Sequence, residues 1–175
     1  MGNVKTFSML VGLPASGKST FRSSSWWSEP GTDAPVVVSS DDYIEAIARD
    51  EGSTYDAVWS HRTAKLAQRW CEDTAAFAFI DGLDVVWDQT NLTVKSRASK
   101  LRMVPEGYKK AAYVFDVPDA HEHACRLERP GKTIPIGVLA SMTMTFVTPS
   151  YDEGFDEVWK VSAVDSKFTL TKVEK

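Results

Sequence analysis

The sequence predicts an α/β fold: a central, mostly parallel sheet with helices on both faces and a C-terminal edge hairpin. Three observations carry this. Short β-branched or apolar runs alternate with helix-compatible segments along the chain. The runs end in polar or glycine-rich stretches: GLPASGKST, SSDD, DQTN and the residues after FDVP. The last two runs, EVWKVSAV and KFTLTKV, follow one another with no helix between them. In sheets of this kind ligands bind outside the carboxyl ends of the strands, so these polar stretches are expected to share one rim.

In chain order, residues 4–11 read as a buried strand that ends at Gly12, and FRSSSWW continues from the glycine-rich loop in a helix-compatible way. Val36, Val37 and Val38 make a short β-branched strand. Residues 42–50 suit a helix, and GSTYD breaks it. Residues 57–80 suit a longer helix, with Ala64, Ala67, Trp70, Cys71, Thr74 and Ala78 on one face. LDVVWD is a third strand, and Thr93 is placed to cap the next helix, which runs to about Val104 before Pro105. KKAAYVFDVP is a fourth strand, and residues 119–129 suit a helix. Ile136, Leu139, Met142, Thr143 and Phe146 give one face of a further helix before the closing strands.

Composition sets the limits. The chain has 175 residues, 43% of them hydrophobic, which supplies one ordinary core and argues against a disordered chain. A single domain over 1–175 is expected, with no room for a second catalytic domain. The net charge of −4 argues against coating nucleic acid by bulk electrostatics and leaves room for a local phosphate grip. Cys71 and Cys125 form no CxxC pair and are expected to be reduced, in a cytoplasmic protein. No apolar run reaches the ~18 residues needed to span a membrane. The N-terminus also matches a myristoylation pattern, Gly2 followed by Thr6, and faintly a signal peptide. Both readings conflict with the apolar run leading straight into the loop.

That loop, Gly12-Leu13-Pro14-Ala15-Ser16-Gly17-Lys18-Ser19, satisfies G-x-x-x-x-G-K-[ST] in full and is followed by Thr20. Gly12 and Gly17 permit backbone conformations that aim several N–H groups at one anion. Lys18 is the residue that reaches the β/γ phosphates, and the Ser19 hydroxyl the one that ligates Mg²⁺. The pattern points to a nucleoside triphosphate, ATP with Mg²⁺, and leaves the acceptor open.

Phosphoryl transfer to a hydroxyl needs a base. Asp41, just past the VVV strand, is the candidate, with Asp42 as a helix cap or a ligand to Mg²⁺ through water. Asp88, Thr90 and Asn91 close the third strand as candidate substrate contacts, with Asp88 a second candidate metal residue; the alternative is an ordinary turn. Arg126 and Arg129 share a helix face ahead of Pro130-Gly131-Lys132, where an arginine from a lid can neutralise charge on the transferred group. The alternative is a solvated helix surface. His121 and His123 are too close together to share a metal and read as surface residues. Most of the six tryptophans are expected in the core or an interface.

Taken together, GLPASGKST, SSDDY, DQTNL, YVFDVP and RPGKTIPIGVL resemble the 5′-hydroxyl polynucleotide kinase family, within the P-loop NTPase kinase fold. The similarity is closest to the kinase domain of the phage end-healing enzymes and spans roughly residues 5–147. It implies Lys18 and Ser19 as the loop residues, Asp41 as the general base and Arg129 as the lid arginine. It also implies the 5′ end of a single- or double-stranded nucleic acid as substrate, a role in nucleic acid repair, and the bacterial host cytoplasm if a phage encodes the chain.

Two positions depart from the phage pattern. Ile44 stands where those kinases carry an arginine that grips the acceptor phosphate, and Gln89 separates Asp88 from Thr90-Asn91. Loss of that arginine should weaken an acceptor phosphate contact by ~1.5–3 kcal/mol unless Arg62, Lys95 or Arg97 substitutes. The other readings are a kinase for a different hydroxyl (a hydroxymethylated base in phage DNA, a nucleoside or a small molecule) and a non-catalytic nucleotide-binding module.

Overall fold

The computed structural model describes residues 4–24, 34–116, 123–124, 127–128, 130–164 and 167–175. Along the chain lie β1 (Thr6–Val11), α1 (Lys18–Arg22), β2 (Val36–Val38), α2 (Ser40–Asp50), α3 (Tyr55–Val58), α4 (His61–Ile80) and β3 (Val85–Asp88). Then come α5 (Val94–Leu101), β4 (Lys109–Phe115), α6 (Ile136–Thr145), β5 (Glu157–Val164) and β6 (Lys167–Lys172). One six-stranded sheet has the order β2-β3-β1-β4-β5-β6. The first five strands run parallel, and β6 turns back antiparallel on β5 as the edge hairpin. The α/β class and the closing hairpin are as the sequence predicts.

Alternation along β1 divides the core. Phe7, Met9 and Val11 join Cys71, Ala75, Phe79, Trp87 and Leu101 in one cluster, which packs α4 and α5 on the sheet. Leu10 joins Phe21, Val86, Phe115 and Val161 in the other. Phe21 meets Phe115 edge-on at 5.4 Å and Phe168 at 5.0 Å. These contacts pin the short α1 against the sheet and so fix the loop that precedes it.

Several expectations are corrected. The long helix expected over 57–80 is two helices. Thr54 caps α3, and Ser60 caps α4 by accepting from the Thr63 N–H at 3.0 Å. Thr93 caps α5 as expected, but that helix stops at Leu101, short of Val104. On α4, Ala67, Cys71 and Ala78 are buried, whereas Trp70 is 37% exposed and lies against Tyr43. No residue of α6 is buried; Leu139 and Met142 of the expected face are half-buried, and Ile136 and Thr143 are exposed. Of the four described tryptophans only Trp87 is buried. Cys71 is buried and unpaired. Gly2, Cys125 and most of the helix expected at 119–129 lie outside the described residues. No described helix is long and apolar enough to cross a membrane.

Candidate active site

The loop is built by close approach. The Gly12 N–H donates to the Thr90 carbonyl at 3.0 Å, which docks the loop on the turn after β3. A Cβ at Gly12 would lie 2.8 Å from Ser16 Oγ and 3.0 Å from Phe115 Cβ, so a larger residue has no space. Ala15 and Gly17 take the left-handed region at φ 59° and 96°, and Gly17 leads directly into α1. The Lys18 ammonium curls back over this turn, donating to the carbonyls of Gly12 (2.9 Å) and Leu13 (2.6 Å). Ser16 is buried, Pro14 is half-buried, and Ser19 and Thr20 are exposed at the mouth.

Next to the loop, the end of β3 places Asp88, 7% exposed, with Oδ2 3.5 Å from Ser19 Oγ. Burial pushes the Asp88 carboxyl up from its ordinary value, against the pull of the Lys18 and Arg22 charges. Arg22, at the end of α1, was not singled out by sequence. Its Nη1 lies 2.9 Å from Asp42 Oδ2 and 3.1 Å from Asp88 Oδ2, so one guanidinium joins the two candidate metal carboxylates.

The other side of the rim starts from the cap of α2. Ser39 is the N-cap and accepts from the Asp42 N–H at 3.2 Å. The cap role expected for an aspartate is therefore overturned, since Asp41 and Asp42 both sit in the first helical turn. Asp41 Oδ1 accepts from the Tyr55 hydroxyl at 3.0 Å, and Oδ2 accepts from Lys132 Nζ at 2.9 Å. Lys132 also reaches Glu45 at 2.8 Å and lies 4.3 Å from the centre of the Tyr55 ring. Burial opposes the Lys132 charge, yet Asp41 and Glu45 hold its ammonium above the ordinary value. Burial first, and the Asp41 charge second, push the Tyr55 hydroxyl up.

The segment carrying Lys132 is clamped to α3. The Thr133 N–H donates to both Asp56 carboxylate oxygens at 2.9 Å, and the Asp56 N–H donates to the Gly131 carbonyl at 3.0 Å. Gly131 has φ 75°, and a Cβ there would meet Thr54 at 2.9 Å. A shallow pocket lined by Glu45, Thr54, Tyr55, Pro130 and Lys132 opens beside Asp41.

Several sequence readings change here. Asn91 was expected to touch substrate, but it is 1% exposed and faces inward. Its amide donates to the Leu10 carbonyl at 2.7 Å, and its Oδ1 accepts from Lys100. Arg97, a candidate substitute for the missing arginine, is fully buried. It donates to both oxygens of Glu153 at 2.7 Å and to the carbonyls of Asn91 and Val147. Ile44 is a core residue, 2% exposed. His123 was read as a surface residue but is 7% exposed, with Nε2 2.8 Å from the Pro14 carbonyl of the loop. Thr90 contributes its backbone, as above. Arg126 and Arg129 lie outside the described residues.

Lys18, Ser19, Asp88, Asp42 and Asp41 thus share the rim at the carboxyl ends of the strands. Arg22, Tyr55 and Lys132 join them through contacts between residues distant in sequence. Ser19 Oγ and the Asp88 carboxylate are hard oxygen donors side by side, a set that suits Mg²⁺.

Comparison with solved structures agrees with this architecture. The chain is similar to one in the Pnkp1/Rnl/Hen1 RNA repair complex, with a TM-score of 0.62 and 23% identity over 83% of this chain. It spans 45% of that chain's length. The PezAT toxin–antitoxin system of Streptococcus pneumoniae matches with a TM-score of 0.60 and 12% identity, over 92% of this chain and 68% of the other. A gluconokinase from Sinorhizobium meliloti 1021 matches with a TM-score of 0.53 and 15% identity, over 92% of this chain and 84% of its own. At these identities the likeness is one of fold. No curated protein matches the chain in sequence. A family model described as an AAA domain, AAA_33, matches residues 8–149, a span that holds the loop, both aspartate turns and α6. By that match the chain belongs to the AAA_33 family, and its fold is that of a P-loop kinase-like domain.

Proposed function

We propose that this protein transfers the γ-phosphate of ATP to the 5′-hydroxyl end of a polynucleotide, DNA or RNA. The observation that carries this reading is the placement of Asp41. It lies on the phosphate-loop rim, more than half exposed, with each carboxylate oxygen accepting one hydrogen bond. Each oxygen keeps a lone pair for an incoming hydroxyl. The ordered set SSDDY, DQTNL and RPGKTIP, which resembles the polynucleotide kinases, supports the choice of acceptor.

In this reading Asp41 takes the proton of the attacking hydroxyl as the bond to phosphorus forms. Lys18 leaves the loop carbonyls for the β/γ phosphates, and the loop N–H groups cradle them. Ser19, with Asp88 and Asp42 beside it, would hold Mg²⁺, which when bound supplies charge neutralisation on the phosphates. Arg129 is proposed as the lid cation on the transferred group. Any nucleic acid would be held at its end by a few side chains.

A second reading keeps the transfer and changes the acceptor. The buried Ile44 and the shallow pocket beside Asp41 favour a compact hydroxyl compound such as a nucleoside or sugar. Incubation with γ-labelled ATP, Mg²⁺ and 5′-hydroxyl oligonucleotides tests the choice. End label on the oligonucleotide is expected. ATP binding without end label, but with label on a nucleoside or sugar, would overturn the polynucleotide assignment.

A further inference from the structure

Two arginines of this chain make opposite kinds of carboxylate contact. Arg97 is fully buried and forms four hydrogen bonds of 2.7 to 3.0 Å, two of them to Glu153. Arg22 makes one long hydrogen bond, from Nη2 to Asp42 Oδ1 at 3.3 Å. Its Nη1 is buried between Asp42 and Asp88 at 2.9 and 3.1 Å, yet no hydrogen bond is aligned there. Arg22 is held by charge, and geometry contributes little. Such a contact costs little to exchange for another cation, because few directional bonds are lost.

The place Arg22 fills is also specific. Asp88 Oδ2, which it faces, is the oxygen nearest Ser19 Oγ. Arg22 offsets one carboxylate of the Asp42–Asp88 pair, and the Lys18 charge also acts on Asp88. A divalent cation entering alone must displace a guanidinium for that modest field. A triphosphate adds its own charge and oxygen ligands at the same point.

We propose that Arg22 is the resident counter-cation of the Asp42–Asp88 pair, so that a divalent cation is taken up only together with the nucleotide's phosphates. The inference rests on the reading of Ser19 and Asp88 as the metal residues. It makes Arg22 a positioning residue that sets the order of loading.

The test uses Mn²⁺ as probe, with free ion counted by its electron paramagnetic resonance signal and no acceptor present. Wild-type protein is expected to bind Mn²⁺ alone only weakly. Arg22→Gln should bind Mn²⁺ alone at least about tenfold more tightly than wild type. Arg22→Lys, which keeps a cation, should behave like wild type, and Arg22→Gln combined with Asp88→Asn should lose the gain. Wild-type protein that binds Mn²⁺ tightly with no ATP present overturns the proposal, whether or not the variants fold. An Arg22→Gln protein with no gain in Mn²⁺ affinity overturns it as well. No phosphoryl transfer is read, so a failed acceptor assignment would leave this result standing.

Discussion

The two ends of the rim are made differently. At the phosphate end, Gly12, Lys18 and Asp88 are buried and the positions are set by backbone: left-handed turns, a docked carbonyl and a strand end. At the other end, the proposed acceptor end, Asp41, Glu45 and Lys132 meet on a more open surface, and their contacts run between side chains of short or separate elements. Backbone geometry tolerates little substitution, whereas side-chain pairs at a surface can be exchanged one at a time.

The comparison predicts where damage is largest. Lys18→Met should lower the rate of phosphoryl transfer by about 10²–10³-fold and weaken ATP binding, measured by single-turnover kinetics and calorimetry. An equal loss without weaker nucleotide binding would move Lys18 out of the phosphate end.

Behind the rim, the Arg97–Glu153 pair should matter for stability and little for chemistry. Glu153→Gln leaves a buried guanidinium without its charge partner and should cost about 3–5 kcal/mol in urea unfolding. A cost near zero would mean that the inner brace does not hold the rim.

Lys100, which donates to Asn91 next to this brace, gives a pH signature of its own. Burial lowers the Lys100 ammonium to about 8. Unfolded, the group keeps its ordinary value of 10.5, so between the two values the unfolded chain binds more protons. Stability should therefore rise with pH through that window, by about 3 kcal/mol from this group. In Lys100→Met this rise should be absent; an unchanged rise would assign it to other groups.

At the acceptor end effects should be smaller and confined to the acceptor. Lys132→Met should raise the acceptor KM about tenfold, worth about 1.4 kcal/mol, and leave the ATP KM unchanged. A matching rise in the ATP KM would join the two ends into one site.

The sequence was most legible where a residue type is dictated by backbone. The loop motif, the VVV strand, the Thr93 cap and the closing hairpin are each written in a few adjacent residues. Contacts between distant side chains left no such mark. Lys132 meets Asp41 across 91 positions, and Arg97 meets Glu153 across 56. Asn91 reads as a turn residue, but its left-handed φ of 52° and inward amide make it a strap between β1 and α5. Ser39 took the cap expected of an aspartate because α2 begins two residues past the strand. A single histidine such as His123 carries no local sign of burial, because burial depends on where the loop carbonyl lies.

The division of the rim is tested most directly by Asp41→Asn, assayed for ATP affinity and for transfer to a 5′-hydroxyl oligonucleotide in the same preparation. Unchanged ATP binding with transfer reduced about 10²–10⁴-fold is the predicted result. Transfer at the wild-type turnover would remove Asp41 as the base and contradict the account.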